Sequence, residues 1–153
     1  MKTSWKKTVV LAAAGIALAA AGGCATAYQV RGVGRGDGNA EFADGVASDV
    51  RSELLGSGYR VLGPDGKAGW FRPVVDIDLR VSKKKDAQLD QWRSYEGKVK
   101  ATVQKEKGPL MGEKTFTAQS GRVRSEEAAE EEMRESFADQ IGDWLKKVLN
   151  QAR

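Results

Sequence analysis

A chain of 153 residues, 41% of them hydrophobic and 30% charged, has room for one folded domain with its own core and little more. Its 25 Lys and Arg stand against 21 Asp and Glu, a small positive excess. The absence of histidine excludes histidine general bases and the usual zinc ligand sets.

The chain opens with Lys2, Lys6 and Lys7, followed by the uncharged run Val9 to Ala21, the order of a positively charged and then an apolar region found in export signals. This run is shorter than the roughly 20 residues that a permanent membrane-spanning helix needs. Read as far as Ala27, the uncharged stretch also admits a membrane anchor. The run ends in Ala21-Gly22-Gly23-Cys24, which resembles the lipobox of bacterial lipoproteins, with Ala21 standing where leucine is commoner. That resemblance implies a diacylglycerol on the Cys24 sulfur, cleavage before Cys24, and a mature chain of residues 24–153 after a 1–23 signal. A buried core cysteine and an ordinary cleavage site beside an incidental Cys24 are the competing readings. A lone exported thiol would be open to oxidation, whereas an acylated one is not. Acyl chains, at about 0.8 kcal/mol per buried CH₂, would hold the domain on a bilayer without a spanning segment.

Loss of the three signal lysines leaves the mature chain with 22 basic and 21 acidic residues. Nucleic-acid binding needs a concentrated basic footprint. Only Lys83, Lys84 and Lys85, with the scattered Lys98, Lys100, Lys105 and Lys107, offer one, and export argues against that use.

Tyr28, Val30 and Val33 predict a first strand that ends in the series Gly34, Gly36, Gly38. Ala43, Val46, Ala47, Val50 and Leu54 then recur at helical spacing, with Asp37 or Asn39 able to cap the start and the Gly56-Ser57-Gly58 stretch ending the helix. Tyr59 to Leu62 reads as a short strand, and residues 64–69 as a turn. Val75, Ile77, Leu79 and Val81 alternate with Asp76, Asp78, Arg80 and Ser82, the period of a strand with one wet face. Lys83 to Asp90 break that pattern, and Tyr95, Val99, Ala101 and Val103 resume it. Phe116 and Ala118 mark a last strand ending near Gly121. Finally Met133, Phe137, Ile141, Trp144 and Val148 lay one apolar stripe along a helix from Ser125 to Gln151, with Ser125 as its cap, acidic residues at its start and Lys146 and Lys147 toward its end. The predicted fold is an α+β two-layer sandwich of order β-α-β-β-β-β-α: a mixed, mostly antiparallel sheet with two helices on one face.

Candidates for chemistry are few. Asp76 and Asp78 share one strand face about 6.6 Å apart, a spacing that could flank a water or share a metal, and equally the plain polar half of an alternating strand. The 30–39 segment is glycine-rich before a helix but lacks the lysine-Ser/Thr ending of a phosphate loop. Flexible turn glycines explain it, with anion binding at the helix start as the other reading. Arg35-Gly36-Asp37 is too short to carry an adhesion reading. Trp70 and Phe71 are adjacent between a turn and a strand, so at most one can point into the core. Trp92 stands beside the basic tip Lys83 to Lys85 at the neighbouring hairpin. Exposed aromatics with basic neighbours are typical anchors for protein contacts, although both sets could also close the core or lie in solvated turns.

Taken together, the order of elements and the lipobox give the mature domain a likeness to the small α/β lipoprotein domains of the curli-secretion and penicillin-binding-protein-activator group. That resemblance implies a lipid-anchored envelope protein that binds other envelope proteins rather than catalysing a reaction, without a cofactor or metal. In Gram-negative lipoproteins an aspartate after the acylated cysteine signals inner-membrane retention. Ala25 in that place implies the outer membrane, facing the periplasm. The sequence-level alternatives are a small periplasmic enzyme using Asp76 and Asp78, and an anion- or ligand-binding module.

Overall fold

The computed structural model describes residues 26–63 and 74–151. Its elements are β1 (Ala27–Gly34), α1 (Ala40–Gly56), β2 (Arg60–Val61), β3 (Val74–Leu89), β4 (Trp92–Lys105), β5 (Leu110–Gln119) and α2 (Glu126–Gln151). The five strands form one sheet in the order β2-β1-β3-β4-β5. β1 is parallel to both β2 and β3, while β3, β4 and β5 make an antiparallel meander. The sheet is therefore mixed, and the predicted order of elements is the observed one.

Both helices cover one face. Val75, Ile77, Leu79 and Val81 of β3 and Val99, Ala101 and Val103 of β4 turn toward them and are almost completely buried. They meet Phe42, Val46, Val50 and Leu54 of α1 and Met133, Phe137, Ile141 and Leu145 of α2 in one continuous core. Each strand places every second side chain on the opposite face. Arg80, Lys98, Lys100, Thr115 and Thr117 are exposed there.

Gly32 and Gly34 of β1 face the helices, and their lack of a side chain lets α1 lie directly on the strand. A Cβ on Gly32 would overlap the Ala43 carbonyl, and one on Gly34 would overlap the backbone of Asn39 and Ala40. Gly36 and Gly38, with φ of 89° and 76°, then make the tight approach to α1. This structure assigns the glycine-rich 30–39 segment to packing and turning. Asn39 occupies the N-cap position, yet its amide does not cap the helix. It donates back to the Arg35 carbonyl. Ser125 does cap α2 as expected, its hydroxyl accepting from the Ala128 amide at 3.2 Å.

One expectation about an element end is revised. β3 does not stop at the lysine run: its pairing with β4 continues to Leu89↔Trp92, with an irregularity between Lys85 and Ala87. α2 runs to Gln151 as expected, and Lys146, one turn before its end, reaches across to Glu53 of α1 at 2.7 Å. A bidentate pair from Arg134 to Asp49, at 2.8 and 3.0 Å, ties the helices together one region further along.

Candidate functional site

Beyond Gly34 the first strand ends, whereas β3 and β4 run on, with β5 beside them as far as Glu96↔Gln119 and then as a two-stranded arm from Lys85 and Tyr95 outward. Asp90 makes the turn at its tip with φ of 53°. Leu89 and Trp92 are directly opposed on the last rung and exposed at 63% and 43%. The Arg124 guanidinium lies 5.0 Å over the Trp92 ring, an arrangement worth about 0.5 to 1 kcal/mol at an exposed site. After β5, Val123 exchanges both backbone hydrogen bonds with Arg93, which fastens Arg124 beside the arm.

The three lysines expected at a tip have three different positions. Lys84 is exposed on the outer face and pairs with Glu96 at 3.1 Å. Lys85 is exposed and donates to Gln88 at 2.9 Å. Lys83 points the other way, under the start of α2. Its side chain is only 6% exposed and its ammonium pairs with both Glu126 and Glu130. The Phe42 and Tyr95 rings flank it at 5.4 and 5.9 Å. The inward face of β3 continues past Val81, so a side chain there must be buried. The aliphatic stem of lysine fills the space, and two carboxylates and two aromatic faces receive its charge.

Burial by itself would lower the Lys83 pKa, but hydrogen bonds to Glu126 and Glu130 outweigh it and the ammonium is held above its ordinary value. The same hydrogen bond pulls Glu126 below the usual carboxylate range, against the opposing effect of burial. A depressed carboxyl adds stability above its unfolded pKa and loses it as pH falls through the folded value. A raised lysine adds stability below its unfolded pKa and loses it as pH rises through the folded value. Lys83→Met should thus cost about 1 to 3 kcal/mol near neutrality, because it leaves two carboxylates without their cation. Chemical denaturation across pH provides the check: the loss relative to wild type should shrink as Glu126 protonates. A loss that stays constant down to acid pH would mean that the ion pairs are not its source.

Asp76 and Asp78 lie on the open sheet face, as their alternation predicts. Arg31 of β1 sits between them, 2.6 Å from Asp76 and 3.6 Å from Asp78. The guanidinium thus occupies the position a bridging cation would take. Among the described residues no group of three or more acidic, cysteine or histidine side chains is placed to hold a metal. A concavity of about 760 Å³ between the helices is lined by acidic residues including Glu41, Glu127, Glu131 and Glu135, with Arg134 crossing it. Cys24, Trp70 and Phe71 lie outside the described residues. Sequence reasoning missed Leu89 and Arg124, since what marks both is their place beside Trp92 in the folded arm.

The geometry defines a small α+β domain whose five-stranded sheet has both helices on one face and a projecting hairpin. A Xanthomonas campestris protein of family DUF330 has a similar fold, with 12% identity, coverage of 84% of this chain and 88% of that one, and a TM-score of 0.54. A minor lipoprotein from Acinetobacter baumannii matches at 15% identity, 82% and 94% coverage and a TM-score of 0.48. Lipoprotein GNA1162 from Neisseria meningitidis matches at 14%, 77% and 99%, with a TM-score of 0.49. No known family pattern and no curated protein sequence matches the chain. Among the described residues no helix is long and apolar enough to cross a membrane.

Proposed function

We propose that the protein is an envelope lipoprotein, anchored through acylated Cys24 in the outer membrane and facing the periplasm, which acts as a non-enzymatic binding or assembly subunit. The observation that carries this reading is the placement of the arm. β1 starts at Ala27, close in sequence to Cys24, and runs parallel to β3. The Leu89–Trp92 tip therefore lies at the end of the sheet opposite Ala27, about 50 Å away at 3.3 Å per residue along β3. An anchor before Ala27 directs the tip away from the bilayer, where its aromatic and basic side chains meet another envelope protein. Lys84 at the base of the arm and Lys85 and Trp92 within it are contact residues in this reading, and Lys83 supports them from beneath. Trp70 and Phe71, which precede the Val74 start of β3 in the chain, are candidates for a second contact and not part of the arm's.

Two measurements test it. Labelled palmitate should enter the wild-type chain in a bacterial host and be lost in Cys24→Ser; label that persists in that variant would remove the anchor from the proposal. Trp92→Ala should weaken binding to a partner crosslinked to and co-purified with the anchored protein by about 2 kcal/mol, the scale of an interface hot spot. Its melting temperature should hardly change, since the ring is half-exposed. Unchanged affinity would discard the arm as the contact surface.

A further inference from the structure

The two edges of the sheet are finished differently. On the β1 side, β2 pairs with Ala27 and Tyr28, the Leu62 amide continues that pairing to the Tyr28 carbonyl at 2.8 Å, and Arg51 of α1 donates to the Val30 carbonyl at 3.2 and 3.0 Å. On the other side β5 is a ten-residue strand, and among the described residues no strand pairs with its outer edge. It contains no proline, and its pairing with β4 is regular from Gly112 to Gln119. A long, regular, open edge is a template for another strand. The helix rim above it is apolar as well: Met111, Trp144 and Val148 are only partly buried, and the Trp144 ring contacts Phe116 at a centroid distance of 5.6 Å.

We infer that β5 pairs antiparallel with β5 of a second copy of this chain, about a two-fold axis at Thr115, joining two sheets into one. The strand's own residues argue for this occupant and register. Directly opposed residues must share a face, so register can change only in steps that keep inward and outward side chains aligned. With Thr115 facing Thr115 of the second copy, Glu113 faces Thr117, Lys114 faces Phe116 and Gly112 faces Ala118, with no like charges opposed. Centring on Lys114 instead opposes two lysines, and centring on Glu113 opposes two glutamates, both unfavourable. Centring on Phe116 leaves Met111 and Gly112 beyond the end of the opposing strand. Lys114 already lies 5.3 Å over the Phe116 ring within one copy. In the chosen register each Lys114 gains the Phe116 of the other copy, and both α2 rims come to the same side of the joined sheet.

The test uses the full chain in detergent with Cys24→Ser, so that an introduced cysteine is the only thiol and the outcome does not depend on lipidation. Opposed residues of an antiparallel pair have Cα atoms about 4.5 to 5.5 Å apart, within disulfide range. Under mild oxidant Thr115→Cys should be driven into a covalent dimer. Thr117→Cys, whose counterpart sits opposite Glu113 and so four residues further along the strand, about 14 Å away, should give at least about tenfold less. Separately, Thr115→Lys and Thr115→Glu should each be monomeric by light scattering, and their equimolar mixture should recover a dimer. A Thr115→Cys chain that stays monomeric, equal crosslinking at 115 and 117, or Lys and Glu variants that remain dimeric alone would each overturn the inference.

Discussion

Phe137→Ala is expected to lower the unfolding free energy by about 3 to 5 kcal/mol, the range for truncating a buried aromatic. Phe137 is fully buried between the layers, with its ring 6.5 Å from Phe42 of α1. On the sheet side it fills the space above Gly97, where a Cβ would lie 2.9 Å from its Cε2 atom. The ring therefore joins α1, α2 and β4 at one point, and glycine on the strand leaves nothing that can move in to refill the hole. Against a typical total of about 5 to 15 kcal/mol, such a loss brings the domain close to unfolding. Denaturant midpoints measure it, with Ile141→Ala as a second buried position where about 2 to 5 kcal/mol is expected. Near-wild-type midpoints in both variants would mean that α2 is not packed on this sheet.

Gly32→Ala should be comparably damaging although it adds only a methyl group. That carbon would sit 2.8 Å from the Ala43 carbonyl carbon and 3.1 Å from the Ala47 Cβ, in addition to overlapping the Ala43 oxygen. The obstruction is helix backbone, so relief requires α1 to move away from β1, carrying Phe42, Val46 and Val50 with it. Overpacking of this kind costs about 1 to 3 kcal/mol and more where backbone must shift. A loss near 3 kcal/mol is expected by thermal or chemical denaturation, with Gly56→Ala as control, since a Cβ there meets nothing. Equal stability of the two variants would show that α1 does not lie against β1 this closely.

The apolar periodicities carried most of the architecture. The alternation over Val75 to Val81 and the four-residue steps through Met133, Phe137 and Ile141 identify faces without reference to any partner, and the helix and sheet faces they define meet as expected. Where α2 continues, the stripe divides. Leu145 and Leu149 enter the core, while Trp144 and Val148 pack at its β5 rim. A helix spanning both core and rim needs a wider apolar face than one line of residues describes.

The extension of β3 was not legible because an inward lysine looks like the end of an alternating pattern. Its acceptability depends on Glu126 and Glu130, more than forty residues downstream. The bridging of Asp76 and Asp78 by Arg31 was hidden for the same reason: β1 and β3 are neighbours only through a parallel pairing that has no local signal. The candidate site was thus only partly readable. Trp92 could be named from the sequence, but its opposition to Leu89 and its contact with Arg124 belong to the folded arm.

The insertion of β1 between β2 and β3 also bears on the order in which the domain assembles. The meander from β3 to β5 closes through short turns, and α2 follows directly, so these parts form from contacts between near neighbours in the chain. β1, by contrast, reaches β3 only after α1, β2 and the 64–73 connection have been spanned, and loop closure of that length delays the contact. The C-terminal portion is thereby suited to act as the folding nucleus, with the N-terminal strand docking last. Changes in the meander should then slow folding, while changes in α1 should chiefly hasten unfolding.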